Sequence, residues 1–262
     1  MTARLRRYTS LPATTKPEAG TSAPLSPKWR FDEVRADDVY MISFPRSGNT
    51  WLRYQLAALI HGPQTDPARV TATVPDIHRS DPSTRPGAGP IWVKSHMPAS
   101  GGPLDARIIY LIRNGLDATA SYYRYLSQRG RLAPDASLDE FLDRTDMWPC
   151  AWTAHVEGWL DEIETRAESE ALIVRYEDLL GRPVDEMEKL VDFLGIDSDR
   201  SRIEEAIGLA TRARMRDDEA RAGQGSLNHV GGGADRPPAG PAAERFLARA
   251  RSTLLRAGYR PT

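Results

Sequence analysis

The amino-acid sequence predicts an α/β protein, a single domain in which helices flank both faces of a mostly parallel central sheet. Its strand-like segments are short and apolar almost throughout, as is typical of parallel strands buried on both sides. Segments with helical spacing of apolar residues alternate with them, and no hairpin turn signals separate them. The length of 262 residues, with 40% hydrophobic and 27% charged residues, fits one globular domain of this class.

Four segments are predicted to form the strands. The first reads Val-Tyr-Met-Ile-Ser-Phe and the third Arg-Ile-Ile-Tyr-Leu-Ile-Arg, so both are rich in the β-branched and aromatic residues that favour strands. Each is short enough to be a strand of a compact α/β domain. The predicted strands are residues 39–44, 91–96, 107–113 and 171–176.

Helices are predicted between and after these strands. Leu52, Leu56, Leu59 and Ile60 have the spacing of one helix face, and the Gly-Pro pair at 62–63 ends that helix. A second helix runs through Tyr125, with Asn114 as its N-cap and Asp117 in its first turn. A third covers about residues 151–166, and the fourth begins at Pro183 and ends at Gly195.

Two segments do not follow this alternation. Residues 1–30 are rich in Thr, Ser, Pro, Ala and Gly without apolar periodicity, so we expect a flexible tail before a domain at 31–262. Residues 62–90 are dense in Pro, Gly, Asp and Thr and are predicted to form a long loop. Long loops in compact domains are often functional.

Charge and cysteine content exclude several classes of protein. The 35 Lys and Arg residues nearly balance 36 Asp and Glu residues, which argues against a nucleic-acid partner. The single cysteine, Cys150, excludes an internal disulfide and a cysteine-based zinc site, and the histidines lack metal-ligand spacing. No segment has the roughly 20 apolar residues of a membrane span. We therefore expect a cytoplasmic protein with no metal, no nucleic-acid partner and no membrane span.

The first candidate site is the turn after the first strand, Ser-Phe-Pro-Arg-Ser-Gly-Asn-Thr-Trp at residues 43–51. A strand that turns into a helix directs backbone N–H groups and the positive helix end at one point, which suits a phosphate. Arg46 adds a charge, Asn49 and Thr50 add donors, and Trp51 offers a flat face for a purine. The alternative is an ordinary capped turn. A Walker A loop needs Gly-Lys, which this sequence lacks.

The second candidate site follows the second strand, in Trp-Val-Lys-Ser-His-Met-Pro. Lys94 and His96 are two residues apart, so their side chains share one face of a strand. A histidine pKa near 6.5 suits a general base, and the ammonium group beside it can stabilise an anionic leaving group. The alternative is a surface lysine beside a structural histidine.

The third candidate site follows the third strand. Arg113 ends an apolar strand, where an unpaired charge would be costly, and Ser121 lies further along the next helix. Together a guanidinium and a hydroxyl can bind a second phosphate. The alternative is a structural salt bridge from Arg113 to Asp117 or Asp178.

These motifs resemble those of sulfotransferases of the cytosolic and bacterial type, which use 3′-phosphoadenosine 5′-phosphosulfate (PAPS). The resemblance covers about residues 37–260 and implies a P-loop-like domain. Besides residues 43–51, the similar segments, in the family's order, are Lys94-Ser95-His96, Tyr110 to Tyr123, Trp152 to Trp159 and Arg175 to Leu179.

The resemblance implies a donor site and a base. His96 would take the acceptor's proton, while Lys94 and Arg46 would stabilise the leaving phosphate. No metal is implied, and the product would be 3′-phosphoadenosine 5′-phosphate (PAP). The residues implied for donor binding are Arg46, Ser47, Gly48, Asn49, Thr50 and Trp51 for the 5′-phosphosulfate, Trp51 and Tyr176 near the adenine, and Arg113, Ser121, Gly231, Gly232 and Gly233 for the 3′-phosphate.

Two departures from the family pattern concern this donor site. The cytosolic enzymes usually have Lys where this chain has Arg46, and Arg lacks the compact charge of Lys. Residues 228–236 lack the arginine with which the family often clasps the 3′-phosphate, although Gly231–Gly233 can present backbone N–H groups. Two rival functions stay open at this point: an atypical kinase-like phosphotransferase, which would need Mg²⁺ and ATP, and a non-catalytic PAP-binding module.

The sequence also suggests what the acceptor side contains. We expect in-line transfer to the hydroxyl of a small molecule, such as a natural product, a glycolipid, a phenol or an alcohol. Tyr125, Trp148 and Trp152 are candidate apolar walls, together with the 62–90 loop, although these aromatic residues could equally be core. A bacterial source is expected from the arginine bias, and both a monomer and a homodimer stay open.

Overall fold

The computed structural model describes residues 34–79, 89–101, 105–221 and 238–260. The predicted tail at 1–30 lies outside the described residues, and so do Gly231, Gly232 and Gly233.

A four-stranded parallel sheet forms the centre of the described structure. Its strands are β1 (Val39–Ser43), β2 (Trp92–Ser95), β3 (Arg107–Ile112) and β4 (Ala171–Arg175), in the order β2-β1-β3-β4. All three pairings are parallel. The predicted sheet is therefore confirmed, and each predicted strand agrees with an observed one to within a residue at either end.

Eleven α-helices occur among the described residues. The four predicted helices correspond to the first, third, fifth and seventh of them. The helices are α1 (Asn49–His61), α2 (Pro67–Thr73), α3 (Gly115–Gln128), α4 (Leu138–Asp143), α5 (Trp152–Glu164), α6 (Tyr176–Gly181), α7 (Pro183–Leu194), α8 (Arg200–Leu209), α9 (Arg212–Arg221), α10 (Pro241–Arg249) and α11 (Arg251–Arg256).

The predicted helix ends are explained by their caps. Asn114 accepts hydrogen bonds from the backbone N–H groups of Leu116 and Asp117 at the start of α3. Gly195 ends α7 in the left-handed conformation, with φ at 69°, which glycine adopts without steric cost. Pro183 occupies the first turn of the same helix, where no backbone donor is needed.

Helices cover both faces of the sheet, as predicted. Side chains that alternate along a strand point to opposite faces, and so Tyr40 and Ile42 belong to one buried cluster while Val39 and Met41 belong to another. The first cluster contains side chains of α3, α5 and α10, and the second contains side chains of α1, α7 and α8. Two apolar layers thus hold the sheet between them.

The prediction that residues 62–90 form a loop is wrong for part of that range. Residues Pro67–Thr73 form α2, whose N-cap Asp66 accepts a hydrogen bond from the Arg69 N–H group. The proline that indicated a loop occupies the first turn of this helix, where proline is favoured. Asp76 further on pairs with Lys94 of β2 in a parallel bridge.

Over the described ranges, no helix combines the length and the apolar character that a membrane crossing requires.

Candidate active site

The three candidate motifs meet at one edge of the sheet. They follow β1, β2 and β3, which are neighbours in the sheet and run in one direction, so their carboxyl ends lie side by side. Ligands of open α/β sheets bind at this edge. Hydrogen bonds connect the motifs: His96 Nδ1 lies 2.7 Å from the Ser43 carbonyl oxygen, and Arg113 Nη1 donates to the Arg46 carbonyl oxygen at 3.0 Å.

The turn between β1 and α1 has an unusual backbone. Arg46 has a positive φ of 68°, and Gly48 has a φ of 98°. A Cβ atom at Gly48 would lie 2.5 Å from the Tyr176 ring. Both this close approach and the positive φ angle therefore require glycine at position 48. Asn49 donates its side-chain N–H to the carbonyl oxygen of Met41 and to Ser43 Oγ. This amide therefore braces the turn against β1.

The turn has the polar groups that an anion needs. The first N–H groups of a helix have no partner within the helix, and those of the 13-residue α1 follow this turn. The buried Ser47 hydroxyl and Arg113 Nε have no hydrogen-bond partner among the residues that the structure describes. Buried polar atoms normally have hydrogen-bond partners. The oxygen atoms of a bound phosphate or sulfate group would accept hydrogen bonds from the N–H groups of α1 and from these two side chains. The residues present therefore fit an anionic ligand.

Next to this turn, the Tyr176 ring contacts side chains from three other parts of the chain. The Arg113 guanidinium lies over its ring, 4.7 Å from the centroid, and the Trp51 ring meets it edge-on at 6.0 Å. Arg212 of α9 donates to the Tyr176 hydroxyl at 2.5 Å. Trp51 itself donates its indole N–H to the Ala210 carbonyl oxygen, which fixes the plane of the indole ring.

Ser121 lies on α3 and faces the same turn. Arg46 Nε donates to the Ser121 hydroxyl oxygen at 3.3 Å, and the Arg46 guanidinium lies 5.1 Å from the centroid of the Tyr125 ring. The structure therefore brings Arg46, Arg113 and Ser121 together.

The surroundings of His96 define which of its ring nitrogens can accept a proton. A carbonyl oxygen only accepts hydrogen bonds, so the short contact with Ser43 assigns the proton of the neutral ring to Nδ1. Nε2 is left without a hydrogen bond to any described residue. Burial, together with the nearby charges of Lys94 and His78, holds the pKa of His96 well below its usual value of 6.5. At neutral pH the ring is therefore uncharged and carries a basic Nε2.

Lys94 is paired with an acidic side chain that the sequence analysis did not single out. Its Nζ atom lies 2.7 Å from Asp76 Oδ2, and both side chains are buried. Burial lowers the pKa of Lys94, and the Asp76 carboxylate partly offsets this. Burial raises the pKa of Asp76, but the charges of Lys94, His96 and His78 outweigh it, so this pKa lies below its usual range.

A second histidine lies behind His96. His155 Nε2 donates to the His96 carbonyl oxygen at 3.3 Å, and the Tyr110 hydroxyl lies 3.0 Å from His155 Nδ1. Burial lowers the pKa of His155 to about 3, against the opposing effect of its backbone hydrogen bonds. The His155 ring is therefore neutral, and its hydrogen bond to the carbonyl oxygen fixes the backbone of His96.

The aromatic residues predicted for the acceptor side have different positions. Trp148 meets the His96 ring edge-on at 5.9 Å, and Tyr125 lies beside Arg46. Trp152 is only 1% exposed and packs against Gly115, where a Cβ atom would come within 2.6 Å of its ring. Of the two alternatives for Trp152, a pocket wall or a core residue, the structure supports the core.

Among the residues that the structure describes, no group of three or more His, Cys, Asp or Glu side chains is arranged to hold a metal ion.

Comparison with known proteins decides the family. Residues 36–230 match the family model described as the sulfotransferase domain, which is more than half of the chain. The chain belongs to the sulfotransferase family.

Similar sulfotransferases include two curated rodent proteins. Sulfotransferase 1A1 of mouse is 32% identical over 193 residues, which cover 66% of this chain and 63% of the relative. Sulfotransferase 1 family member D1 of rat is 29% identical over 181 residues, which cover 62% of this chain and 60% of the relative. The match thus spans less than two thirds of the length of these relatives.

Two solved structures share the fold. Mouse sulfotransferase SULT7A1, complexed with PAP, has a TM-score of 0.67 at 20% identity and covers 86% of this chain and 85% of its own. Retinol dehydratase, in complex with androsterone and the inactive cofactor PAP, has a TM-score of 0.64 at 16% identity, covering 85% of this chain and 81% of its own. The predicted P-loop-like α/β fold is therefore confirmed.

Several residues of this sulfotransferase site were missed by the sequence analysis. Asp76 and His78 lie in the segment that was predicted to be a loop, and Arg212 begins a helix that was not predicted. His155 was part of the resemblance, but its sequence neighbours give no sign of its contact with His96.

Proposed function

We propose that this chain is a PAPS-dependent sulfotransferase that transfers a sulfuryl group to the hydroxyl group of a small molecule. One observation carries the proposal. The neutral His96 ring lies at the same edge of the sheet as the turn after β1, whose polar groups fit an anion. The hydrogen bond from His96 Nδ1 to the Ser43 carbonyl oxygen connects the two. A base beside an anion site is what transfer from an anionic donor requires. Membership of the family supports the same activity.

Residues from two neighbouring strand ends would hold the donor. The turn residues Arg46 to Trp51 would bind its 5′-phosphosulfate, while Arg113 and Ser121 would bind its 3′-phosphate. The buried unpartnered atoms of Ser47 and Arg113 support this assignment. When bound, PAPS supplies an activated sulfuryl group attached to a phosphate oxygen.

The adenine would lie near Trp51 and Tyr176. The indole ring of Trp51 is held by Ala210, and the phenol ring of Tyr176 is held between Arg113 and Arg212. Rings fixed in this way lose little freedom when a base stacks on them.

The chain's own residues account for the proton and the charge in this reaction. His96 Nε2 accepts the hydroxyl proton as the acceptor oxygen bonds to sulfur. The bond between sulfur and the bridging phosphate oxygen breaks, and its electron pair leaves with that phosphate. Lys94 and Arg46 stabilise the negative charge that develops there. The Lys94 ammonium group donates one of its three N–H groups to Asp76. The other two can donate to the leaving phosphate.

Calorimetric binding of PAP, AMP and Mg-ATP tests the donor assignment. We expect PAP to bind more tightly than AMP by about 10–100-fold, because each charge-assisted contact with the extra phosphate contributes about 1.5–3 kcal/mol. Arg113→Ala should remove most of this preference, with a smaller loss of AMP affinity, because Arg113 also contacts Arg46 and the Tyr176 ring. Tighter binding of Mg-ATP would favour the kinase-like alternative.

Transfer must then be separated from binding alone. Incubation of the wild-type protein with PAPS carrying radioactive sulfur, with and without a panel of phenols and alcohols, measures group transfer. Labelled product is expected, and PAP binding without any transfer to these acceptors or to water would favour the non-catalytic PAP-binding module.

A further inference from the structure

The segment Val74–Arg79, which we call the support segment, runs beside β2 and reaches both residues assigned to chemistry there. Lys94 N–H donates to the Pro75 carbonyl oxygen at 2.9 Å, and Ile77 N–H donates to the Lys94 carbonyl oxygen at 3.1 Å. These backbone bonds hold the support segment in register with β2.

Two side chains of the support segment face β2 through specific contacts. Asp76 Oδ2 pairs with Lys94 Nζ at 2.7 Å. His78 Nε2 lies 2.9 Å from the backbone nitrogen of His96, and because that N–H can only donate, His78 Nε2 is the acceptor. The two imidazole rings are stacked, with centroids 5.7 Å apart and planes 6° from parallel.

We propose that His78 and Asp76 are positioning residues for the sulfuryl transfer: His78 fixes the base His96, and Asp76 fixes Lys94. This inference rests on the proposed function, in which His96 takes the acceptor's proton.

The hydrogen bonds around His96 explain why a third contact is needed. Ser43 fixes Nδ1 of the ring, and His155 fixes the carbonyl oxygen of the residue. The backbone N–H, at the point where β2 ends at Ser95, is fixed by His78 alone among the contacts of the described residues. A stacked ring on one face and Trp148 edge-on then limit rotation of the His96 ring.

His78 can perform this role only as a neutral ring. Burial, followed by the Lys94 charge, lowers the pKa of His78 to about 4, although Asp76 opposes the shift. At neutral pH its Nε2 is therefore available to accept, and its proton is on Nδ1, which is buried and has no hydrogen-bond partner within the described ranges.

Asp76 affects the pKa of the base His96, because its negative charge opposes the positive charge of Lys94. Among the described residues, the charged or titratable groups that act on or contact Lys94 and His96 include Asp76, His78, His155, Arg53 and Arg79. Asp76 is the anion in this set, and without it the cation at Lys94 would be uncompensated. The expected consequence is a weaker base at His96 and a less strongly held ammonium group at Lys94.

The test of His78 compares a variant that loses the acceptor with one that keeps it. His78→Leu should lower the rate of sulfate release from radiolabelled PAPS, with water as acceptor, by about 10–100-fold. PAP affinity should stay within about twofold, since the donor contacts are untouched. His78→Gln places an amide oxygen near the position of Nε2 and should recover most of the rate. His61→Leu, which loses a histidine bond to Thr73 but, within the described part of the chain, makes no hydrogen bond to Lys94 or His96, is the matched control.

The test of Asp76 measures the pKa of His96 directly. Nitrogen NMR titration of Asp76→Asn should show this pKa lower than in the wild type by about one pH unit, and the acid limb of sulfate release should move in the same direction. Asp143→Asn, which removes a carboxylate paired with Arg245 and Arg249, should change neither.

The outcomes separate this inference from the function on which it rests. Equal rates in His78→Leu and His61→Leu, or an unchanged His96 pKa in Asp76→Asn, would overturn the positioning role of that residue. Failure of His78→Gln to recover the rate would also contradict the role of the acceptor atom. If His96→Ala is as fast as the wild type, or the wild type transfers labelled sulfur neither to water nor to the panel of phenols and alcohols, the proposed function fails instead, and the NMR titration still tests Asp76.

Discussion

At the scale of single residues, His96 depends on its neighbours for its chemical form. Imidazole has two tautomers of similar energy, and the one present is set by the hydrogen bond of the other nitrogen. Here the Ser43 carbonyl oxygen selects the Nδ1–H form, and burial keeps the ring neutral by lowering its pKa. The result is a ring whose Nε2 is ready to accept a proton at neutral pH.

Replacing His96 tests its assignment as the base. His96→Ala should lower turnover by about 10²–10⁴-fold, because no other proton acceptor is assigned at this position. PAP affinity measured by calorimetry should remain close to that of the wild type. His61→Ala is the control, and near-normal turnover in His96→Ala would remove this residue from the mechanism.

Gly48 is required by both its backbone and its surroundings. Gly48→Ala adds a methyl group 2.5 Å from the Tyr176 ring at a residue with a φ of 98°. We expect a loss of about 2–4 kcal/mol in unfolding free energy, from left-handed strain and overpacking combined. PAP binding should also weaken, since the ring that moves is Tyr176.

Gly130→Ala separates these two effects. Gly130 has a φ of 59° with no heavy atom near the added methyl group, so only strain of about 1–2 kcal/mol should appear in chemical denaturation. Equal losses of unfolding free energy in the two variants would show that the Tyr176 ring moves away from the added methyl group at no cost.

At the scale of elements, the C-terminal end of the described chain holds the turn between β3 and α3. The Tyr259 hydroxyl donates to Glu177 Oε2 at 2.7 Å, and Glu177 Oε1 accepts the Asn114 N–H at 3.0 Å. Trp152 donates its indole N–H to the carbonyl oxygen of Arg113 in the same turn. Contacts from α5, α6 and the residues after α11 therefore fix the start of α3 beside Arg113.

Removing one hydroxyl tests this connection. Tyr259→Phe should lower the unfolding free energy by about 1.5–3 kcal/mol, the usual size of a hydrogen bond to a charged group. PAP affinity should fall as well, because the Asn114 turn carries Arg113. Tyr123→Phe loses a bond to the Ala136 carbonyl oxygen and should cost stability without weakening PAP binding. The same PAP affinity in both variants would contradict the connection.

At the scale of the whole molecule, buried neutral histidines make stability depend on pH. The pKa of His78 is lowered to about 4 and that of His155 to about 3, chiefly by burial in both cases, and that of His96 is lowered in the same direction. Between about pH 6.5 and these values the unfolded chain binds protons that the folded chain does not. Unfolding free energy therefore falls as the pH falls through this window.

Urea denaturation at about pH 7 and about pH 5.5 measures this dependence. Each buried imidazole should contribute up to about 1.4 kcal/mol per pH unit. His155→Gln removes one of them, so its stability should fall less between the two pH values than that of the wild type. An identical fall in both proteins would show that His155 titrates normally in the folded state.

Much of the fold was predictable because its signals are local. An apolar run of five or six residues identifies a buried strand, and Asn114, Pro183 and Gly195 act on the helix turn in which they occur. The missed helix α2 has only seven residues, so its apolar spacing covers less than two full turns. The proline at the start of α2 resembles a loop signal until its place in the helix is known.

The candidate site was predictable to the extent that strand ends predict it. Arg46, His96 and Arg113 each follow a strand, and parallel strands bring such residues to one edge. Trp152 stayed ambiguous in the sequence, because an aromatic residue on a helix fits both a core and a pocket wall. Only the packing against Gly115 distinguishes the two.

The sequence by itself determined the strands, the main helices, the family and the residue types that come together at the sheet edge. The tertiary structure alone decided what those residues do to one another: the pairing of Asp76 with Lys94, the histidines on both sides of His96, and Arg212 on Tyr176. The physical reason is range. Strand and cap preferences depend on near neighbours in the chain. A pKa, a tautomer or an ion pair depends instead on burial and on groups within about 3–6 Å in space, and folding brings those groups together from distant parts of the sequence.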